Sequence, residues 1–194
     1  MRVIDVILGL ICGRIIGFVA GDILREFGIS IGFYYSLILW IAFPIISLFF
    51  LWTAFLIGRK VLFFYQITKF LLVGAAATVI DLKFFELLSW FSVNFIISKG
   101  ISFIGATSLK YWGNKHWAFL QHESINMHIE IIKFFAITLI GLFIDVLSFY
   151  YFVKIIGPQF SIPVAIWVKF SVIFAALIAA LWNFLGYKFL VFKK

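Results

Sequence analysis

Long runs of apolar residues, interrupted by single charges, are the dominant pattern along this chain of 194 residues. A helix needs about 20 apolar residues to cross the hydrocarbon core of a bilayer. Helices are expected there because lipid offers no partner for free backbone groups, and these runs lack the short alternating segments of a barrel. The pattern predicts six spans, at residues 3–20, 30–57, 66–88, 94–112, 131–154 and 163–187.

The first of these segments has two interpretations, because Asp5 and Arg14 interrupt its apolar run. It can cross the membrane, or it can lie at the interface as an amphipathic helix, which would leave five spans. We take the six-span interpretation. Within the second segment, Pro44 is expected to kink the helix.

Composition supports a membrane protein. Hydrophobic residues make up 65% of the chain and charged residues 12%, whereas soluble domains are nearer half apolar and a quarter charged. The predicted fold class is therefore an all-α integral membrane protein, a polytopic helical bundle.

The net charge is +8, and the basic residues lie mostly at the ends of the apolar segments. Positively charged loops normally stay on the cytoplasmic side. With six spans, this places both termini in the cytoplasm and the chain in the cytoplasmic membrane. The same pattern explains the charge without nucleic acid as a partner.

No residue pattern indicates catalysis or a metal site. Cys12 is the sole cysteine, and the three histidines near residues 116–128 lack ligand spacing. A nucleophile–base arrangement and a nucleotide-binding glycine loop are also missing from the sequence. We therefore expect neither an enzyme nor a cofactor.

A two-helix pattern occurs twice in the same orientation. Lys69-Phe70 and Ile80-Asp81 recur 64 residues later, as Lys133-Phe134 and Ile144-Asp145. KYWGNKHWAF at 110–119 aligns with NFLGYKFLVF at 183–192 at a shift of 73 residues, from Gly113 to Gly186. The difference predicts about nine extra residues in the second outer connection, around GPQFSIP. Two parallel hairpins predict a repeat axis along the membrane normal.

These motifs resemble the GtrA-like family of small membrane proteins over residues 65–194. The resemblance rests on KFLLVGAAATVIDLKFFELL, the helix end leading into NKHWAF, KFFAITLIGLFIDVLSFYYF and WNFLGYKFLVF. It implies a role with polyprenyl-phosphate-linked sugars, which such proteins move across the cytoplasmic membrane for cell-surface glycans. Residues 1–64 form a predicted N-terminal hydrophobic hairpin outside this four-helix domain.

Four charged residues are expected in one layer within the membrane. Asp81 lies about 22 Å along its helix, at roughly 1.5 Å per residue, and Asp145 lies equivalently. Lys99 and Lys169 lie at a similar depth on the fourth and sixth segments, which enter the membrane from the other side. A lone charge there costs about 2.5 to 3.5 kcal/mol, so we predict the pairs Asp81–Lys99 and Asp145–Lys169. They line a polar path for the substrate, or they only join helices.

A second predicted layer lies at the cytoplasmic headgroup level, where a basic pocket suits the phosphate of a polyprenyl lipid. Positive-inside anchoring is the alternative for its lysines, above all for Lys188. Its members are Lys110, Asn114, Lys115, Asn183 and Lys188.

Two functions remain open at this point. One is flippase-like translocation of a polyprenyl-phosphate-linked sugar, with a homodimer completing the path. The other is a subunit that docks or assembles a membrane glycosyltransferase and transports nothing.

Overall fold

The computed structural model describes residues 1–26, 32–59, 61–121, 126–159 and 163–192. Every regular element in these ranges is helical. The α-helices are α1 (Val3–Glu26), α2 (Phe33–Gly58), α3 (Leu62–Trp90), α4 (Phe95–Gly113), α5 (Met127–Tyr150) and α6 (Val164–Gly186). Three π-helical segments follow α4, α5 and α6 directly: π1 (Asn114–Ala118), π2 (Tyr151–Ile156) and π3 (Tyr187–Val191).

The chain is an all-α polytopic membrane protein, as predicted. Among the described residues, four stretches are long and apolar enough to cross a membrane: Val3–Gly21, Phe33–Gly58, Met127–Ile156 and Phe170–Val191. Helices α3 and α4 form the other two predicted segments and contain six charged residues, among them Asp81 and Lys99. The first segment is a continuous helix of spanning length, which favours the spanning interpretation over the interfacial one.

The described residues form two compact units, unit 1 (Met1–Leu120) and unit 2 (Gln121–Lys194). Unit 1 contains α1 to α4 and π1, and unit 2 contains α5, π2, α6 and π3. In unit 1 the N-terminal hairpin packs onto α3 through an apolar cluster that includes Cys12, Leu51, Val73, Ala76 and Trp117. The predicted boundary between residues 64 and 65 stays a prediction.

Helices α1 and α2 approach each other closely at small residues. The hydroxyl of Ser47 donates a hydrogen bond to the carbonyl of Gly9 over 2.7 Å. A Cβ atom at Gly13 would lie 2.7 Å from the Cα of Pro44. Glycine on the contact face therefore permits this approach, and α2 remains one helix on both sides of Pro44.

The two units repeat the same junction between α-helix and π-helix. Helix α4 ends at Gly113 and α6 ends at Gly186, and a π-segment follows each of them at once. A Cβ atom at Gly113 would lie 2.9 Å from Val73, and one at Gly186 would lie 2.6 Å from Ile137. Val73 and Ile137 are equivalent at the shift of 64 residues. The sequence repeat is therefore matched by the same contact between helices in both units.

The extra residues of the second repeat are spread more widely than the sequence predicts. The connection between π2 and α6 covers residues 157–163, compared with 91–94 between α3 and α4. This longer connection accounts for only part of the nine extra residues. Others lie in α6, because the stretch from the start of α6 to Gly186 is longer than the stretch from the start of α4 to Gly113.

Candidate functional site

The predicted pair between Asp81 and Lys99 is present and joins α3 to α4. The ammonium of Lys99 donates to Oδ2 of Asp81 over 2.6 Å. The pair is accessible, since the Lys99 side chain is 55% exposed and that of Asp81 is 21% exposed. It is therefore not sealed between helices.

Ser102 is a third member of this cluster, and the sequence did not predict its role. Its hydroxyl donates to Oδ1 of Asp81 over 2.7 Å and lies 3.1 Å from the carbonyl of Lys99. Ser102 is buried and lies close to one helical turn beyond Lys99. Because its hydroxyl and the ammonium contact different oxygens, the Asp81 carboxylate is held in one orientation. We call Asp81, Lys99 and Ser102 the Asp81 cluster.

The second predicted pair is only half described. Asp145 lies on α5 and is partly buried, but the side chain of Lys169 lies outside the described part of the structure. The pairing of Asp145 with Lys169 therefore stays a prediction.

The unit 1 residues of the layer that was predicted at the cytoplasmic headgroups are partly or fully buried. Asn114 and Lys115 are buried at the start of π1, and Lys110 is half-buried on α4. The Lys115 ammonium donates to the hydroxyl of Tyr111 over 3.1 Å and lies 5.4 Å from the centre of its ring. Lys115 is therefore an internal residue with a partner rather than a solvated anchor.

The equivalent residues of unit 2 are Asn183 and Lys188. Asn183 is buried against Gly141, where a Cβ atom would collide with its carboxamide. At the repeat shifts of 64 and 73 residues, the equivalents of Gly141 and Asn183 in unit 1 are Ala77 and Lys110. Lys188 is half-buried, with its ammonium 5.7 Å from the ring centres of Phe184 and Phe189. The two repeats thus carry different polar groups at the same helix contact.

A match to a family model decides the classification of the chain. The transmembrane domain model described as GtrA/DPMS matches residues 69–192, which is more than half of the chain. The chain belongs to the GtrA/DPMS family. Searches of curated proteins and of solved structures found no significant match. Membership links this membrane protein to the handling of polyprenyl-phosphate sugars.

The GtrA/DPMS match begins at Lys69, and this residue forms a buried ion pair that the sequence analysis did not predict. Its ammonium donates to Oδ1 of Asp5 over 2.6 Å, and the two side chains are 2% and 1% exposed. The indole N–H of Trp117 donates to the same oxygen over 3.0 Å, and the Arg2 backbone N–H donates to Oδ2 over 2.8 Å. We call Asp5, Lys69 and Trp117 the Asp5 cluster.

The Asp5 cluster attaches α1, which precedes the GtrA/DPMS region, to α3 and π1 within it. Asp5 and the Tyr65 ring, 4.0 Å from the Lys69 ammonium, enclose this charge, so Lys69 is a buried residue rather than a solvated charge at the helix end. A signal was available in the sequence. Asp5 and Lys69 are lone charges in apolar runs, and each needs an opposite charge.

Proposed function

We propose that this GtrA/DPMS protein moves a polyprenyl-phosphate-linked sugar across the cytoplasmic membrane, for cell-surface polysaccharide or glycosylation. In this proposal both termini are cytoplasmic and the transfer involves no covalent chemistry. Family membership supports the class of lipid. The Asp81 cluster supports the transport step, and it is the observation that carries the proposal.

A comparison within the chain favours a path at Asp81 over simple helix joining. The Asp5–Lys69 pair has the same donor–acceptor distance, yet it is almost fully buried. The Asp81–Lys99 pair is open, with more than half of the Lys99 side chain accessible. An exposed charge within spanning helices is costly unless it faces a polar cavity. The open pair therefore fits a lining of the substrate path.

Each member of the Asp81 cluster has a role in this proposal. Lys99 meets the phosphate as a compact positive charge, and Asp81 accepts hydrogen bonds from sugar hydroxyls. Ser102 keeps the carboxylate in position for both. Asp145 and Lys169 supply the second copy of this arrangement.

The cytoplasmic layer captures the lipid before transfer. An anionic headgroup favours a basic pocket at the membrane surface, and Lys110 and Lys115 supply the positive charge in unit 1. Asn183 and Lys188 supply the corresponding groups in unit 2. A homodimer is a further proposal, because four core helices enclose little space.

Transport assays in reconstituted vesicles test this function. With a fluorescent polyprenyl-phosphoryl sugar, Asp81→Asn and Lys99→Gln are expected to lower the transport rate at least about tenfold, the effect of one lost charged hydrogen bond. The folded yield should change little, because Lys99 is accessible. Transport by Asp81→Asn and Asp145→Asn at the wild-type rate would refute the proposed path.

The chain offers a matched control on α3 itself. Lys83 and Glu86 form an ion pair of 2.7 Å one turn apart, with both side chains accessible. The double variant Lys83→Gln/Glu86→Gln removes the same charges at a nearby level of the helix. It should transport at the wild-type rate, which separates a specific role of Asp81 from a general effect of charge.

The docking function has one observation in its favour. Three residues of unit 1 are buried in the Asp5 cluster or in the apolar cluster that includes α1: Lys69, Ala76 and Trp117. Their equivalents Lys133, Ile140 and Leu190 are all exposed in unit 2. This face suits a partner transmembrane helix that carries an acid opposite Lys133, such as one from a membrane glycosyltransferase.

Copurification separates the two functions. A docking subunit would be recovered with a polyprenyl-phosphate glycosyltransferase from membranes and would transport nothing when reconstituted alone. Lys133→Glu would then abolish the copurification by placing like charges together, while Asp81→Asn would leave it unchanged. Transport by the isolated protein would reject the docking-only function.

A further inference from the structure

An exposed arginine lies within the apolar run of α1. Arg14 is seven residues from Gly21, where the spanning stretch of α1 ends, so it lies about 10 Å inside that end of the helix. No acidic residue pairs with Arg14 in the described part of the structure. A charge at this depth is costly, and ionisable residues within spanning helices commonly mark functional sites.

Trp40 of α2 holds the Arg14 side chain in place. Nη1 of Arg14 donates to the Trp40 carbonyl over 2.7 Å, and the central carbon of the guanidinium lies 3.4 Å from the centre of the Trp40 ring. This carbonyl is available because Pro44, four residues later in α2, has no N–H to donate to it. In membrane helices a neighbouring helix commonly satisfies a backbone group that proline has freed. Arg14 therefore helps to join α1 to α2.

This structural role does not account for the charge of Arg14. One neutral donor is enough for a backbone carbonyl, as the Ser47 hydroxyl shows where it donates to the carbonyl of Gly9 between the same two helices. A guanidinium has five N–H groups, and among the described residues only the Trp40 carbonyl accepts a bond from that of Arg14. The remaining groups suit a ligand that brings a negative charge and several acceptor oxygens.

The surroundings of Arg14 favour a lipid as the source of this ligand. Trp40 is 41% exposed, and the large exposed residues within one helical turn of Arg14 or Trp40 include Ile11, Phe18, Leu37 and Ile41. An apolar surface of this kind on spanning helices contacts lipid. Phosphate is the anionic group that membrane lipids carry, and its oxygens match the fork of a guanidinium. Local thinning of the bilayer also brings headgroups toward an arginine at this depth.

We infer that the Arg14 guanidinium, held against the Trp40 ring, binds the phosphate of a membrane lipid on the lipid-facing surface of the N-terminal hairpin. The site lies outside residues 69–192, which the GtrA/DPMS model matches, and it does not depend on the proposed transport. A phospholipid and polyprenyl phosphate present the same group to Arg14, so the experiment uses both.

Photolabelling of the full-length protein in native membranes tests this inference. The probes are phosphatidylglycerol and polyprenyl phosphate, each with a diazirine near the phosphate, and a diacylglycerol with the same label is the control without phosphate. At least one phosphate probe should label residues near the site, such as Ile11 or Ile41, more strongly than the diacylglycerol does. Arg14→Gln should lower this labelling about tenfold, as expected for the loss of a charged hydrogen bond.

Two further variants separate lipid binding from folding. Arg14→Leu/Pro44→Ala removes the guanidinium and gives residue 44 an N–H for the Trp40 carbonyl. It should therefore unfold near the wild-type Tm in detergent and still lose the labelling. Arg59→Gln is the matched control, because Arg59 is an exposed arginine at the other end of α2. This variant should keep both the Tm and the labelling.

The outcomes identify the lipid or overturn the inference. Stronger labelling by phosphatidylglycerol assigns the site to a phospholipid, and stronger labelling by polyprenyl phosphate assigns it to that lipid; either result supports a phosphate site. Equal labelling by the diacylglycerol, or unchanged labelling of Arg14→Gln and the double variant, would overturn it. Labelling that occurs only after purification would overturn it as well, because a carboxylate of a partner helix would then occupy Arg14 in the membrane.

Discussion

Two carboxylate–ammonium pairs in this protein have the same length of 2.6 Å and very different surroundings. Asp5 and Lys69 are sealed in the core of unit 1, where the Trp117 indole adds a further bond to the carboxylate. Asp81 and Lys99 are accessible. At the scale of single residues, burial rather than distance therefore distinguishes these two ion pairs.

Removing one member of the buried pair should destabilise the protein strongly. Asp5→Asn leaves the buried Lys69 ammonium without its counter-charge, and Lys69→Met removes that partner from the Asp5 carboxylate. Losses of this kind cost about 3 to 5 kcal/mol. Unfolding of the purified protein in detergent measures this loss. Lys133→Met is the matched control at the equivalent position of unit 2, and since Lys133 is exposed it should change stability by less than about 0.5 kcal/mol.

The double variant Asp5→Leu/Lys69→Met completes the test. Replacing both charges with apolar groups removes the cost of burying them, so most of the lost stability should return. The Trp117 indole loses its acceptor, which leaves a deficit of about 1 to 3 kcal/mol. If the double variant is no more stable than the single variants, the ion pair is not the source of their instability.

At the scale of elements, the junction of α-helix and π-helix is what the two units share most closely. Of the three π-segments, π1 and π3 stand at this repeated junction. Each of these two closes with a backbone bond across five residues, from Phe119 N–H to the Asn114 carbonyl and from Phe192 N–H to the Tyr187 carbonyl. The glycine before each junction lets the helix approach its neighbour. Asn114 and Tyr187, at equivalent positions of the repeat, are the first residues of π1 and π3.

Adding a methyl group at this junction should destabilise the protein. Gly113→Ala places a Cβ atom 2.9 Å from Val73, and overpacking of this kind costs about 1 to 3 kcal/mol. Thermal unfolding in detergent gives the loss, and Val73→Ala in the same chain should restore much of it. Gly100→Ala serves as the control, because its Cβ atom would meet nothing within 4 Å. Equal stabilities of Gly113→Ala and Gly100→Ala would show that the contact is not tight.

The six helices and one ion pair were predictable from the sequence, because apolar length and lone charges are local signals. Lys99 on α4 and its partner Asp81 on α3 belong to one helical hairpin, so their pairing could be predicted without knowledge of longer-range packing. The Asp5–Lys69 pair joins residues on helices two elements apart, and only the packed bundle shows that α1 lies against α3. The π-segments were also missed, since no periodicity of NKHWA or YKFLV separates them from the α-helices before them.

At the scale of the whole molecule, the N-terminal hairpin is a structural part of unit 1 rather than a loosely attached segment. It supplies Asp5 to Lys69 and apolar residues such as Cys12 and Leu51 to the shared core. The GtrA/DPMS match begins at Lys69, so this support comes from outside the matched region. Unit 2 has no equivalent of α1 in its described residues, and its corresponding face is exposed.

Deleting residues 1–60 should therefore leave a poorly folded chain. Lys69 would lose its counter-charge, at a cost of about 3 to 5 kcal/mol. The apolar cluster would also lose two of its buried members, Cys12 and Leu51. Size-exclusion chromatography of detergent extracts should show a reduced monodisperse peak. Lys69→Met in the truncated chain should recover part of that peak, and coexpression of residues 1–60 as a separate peptide should recover more. A truncated chain as well folded as the full protein would contradict the dependence of unit 1 on its hairpin.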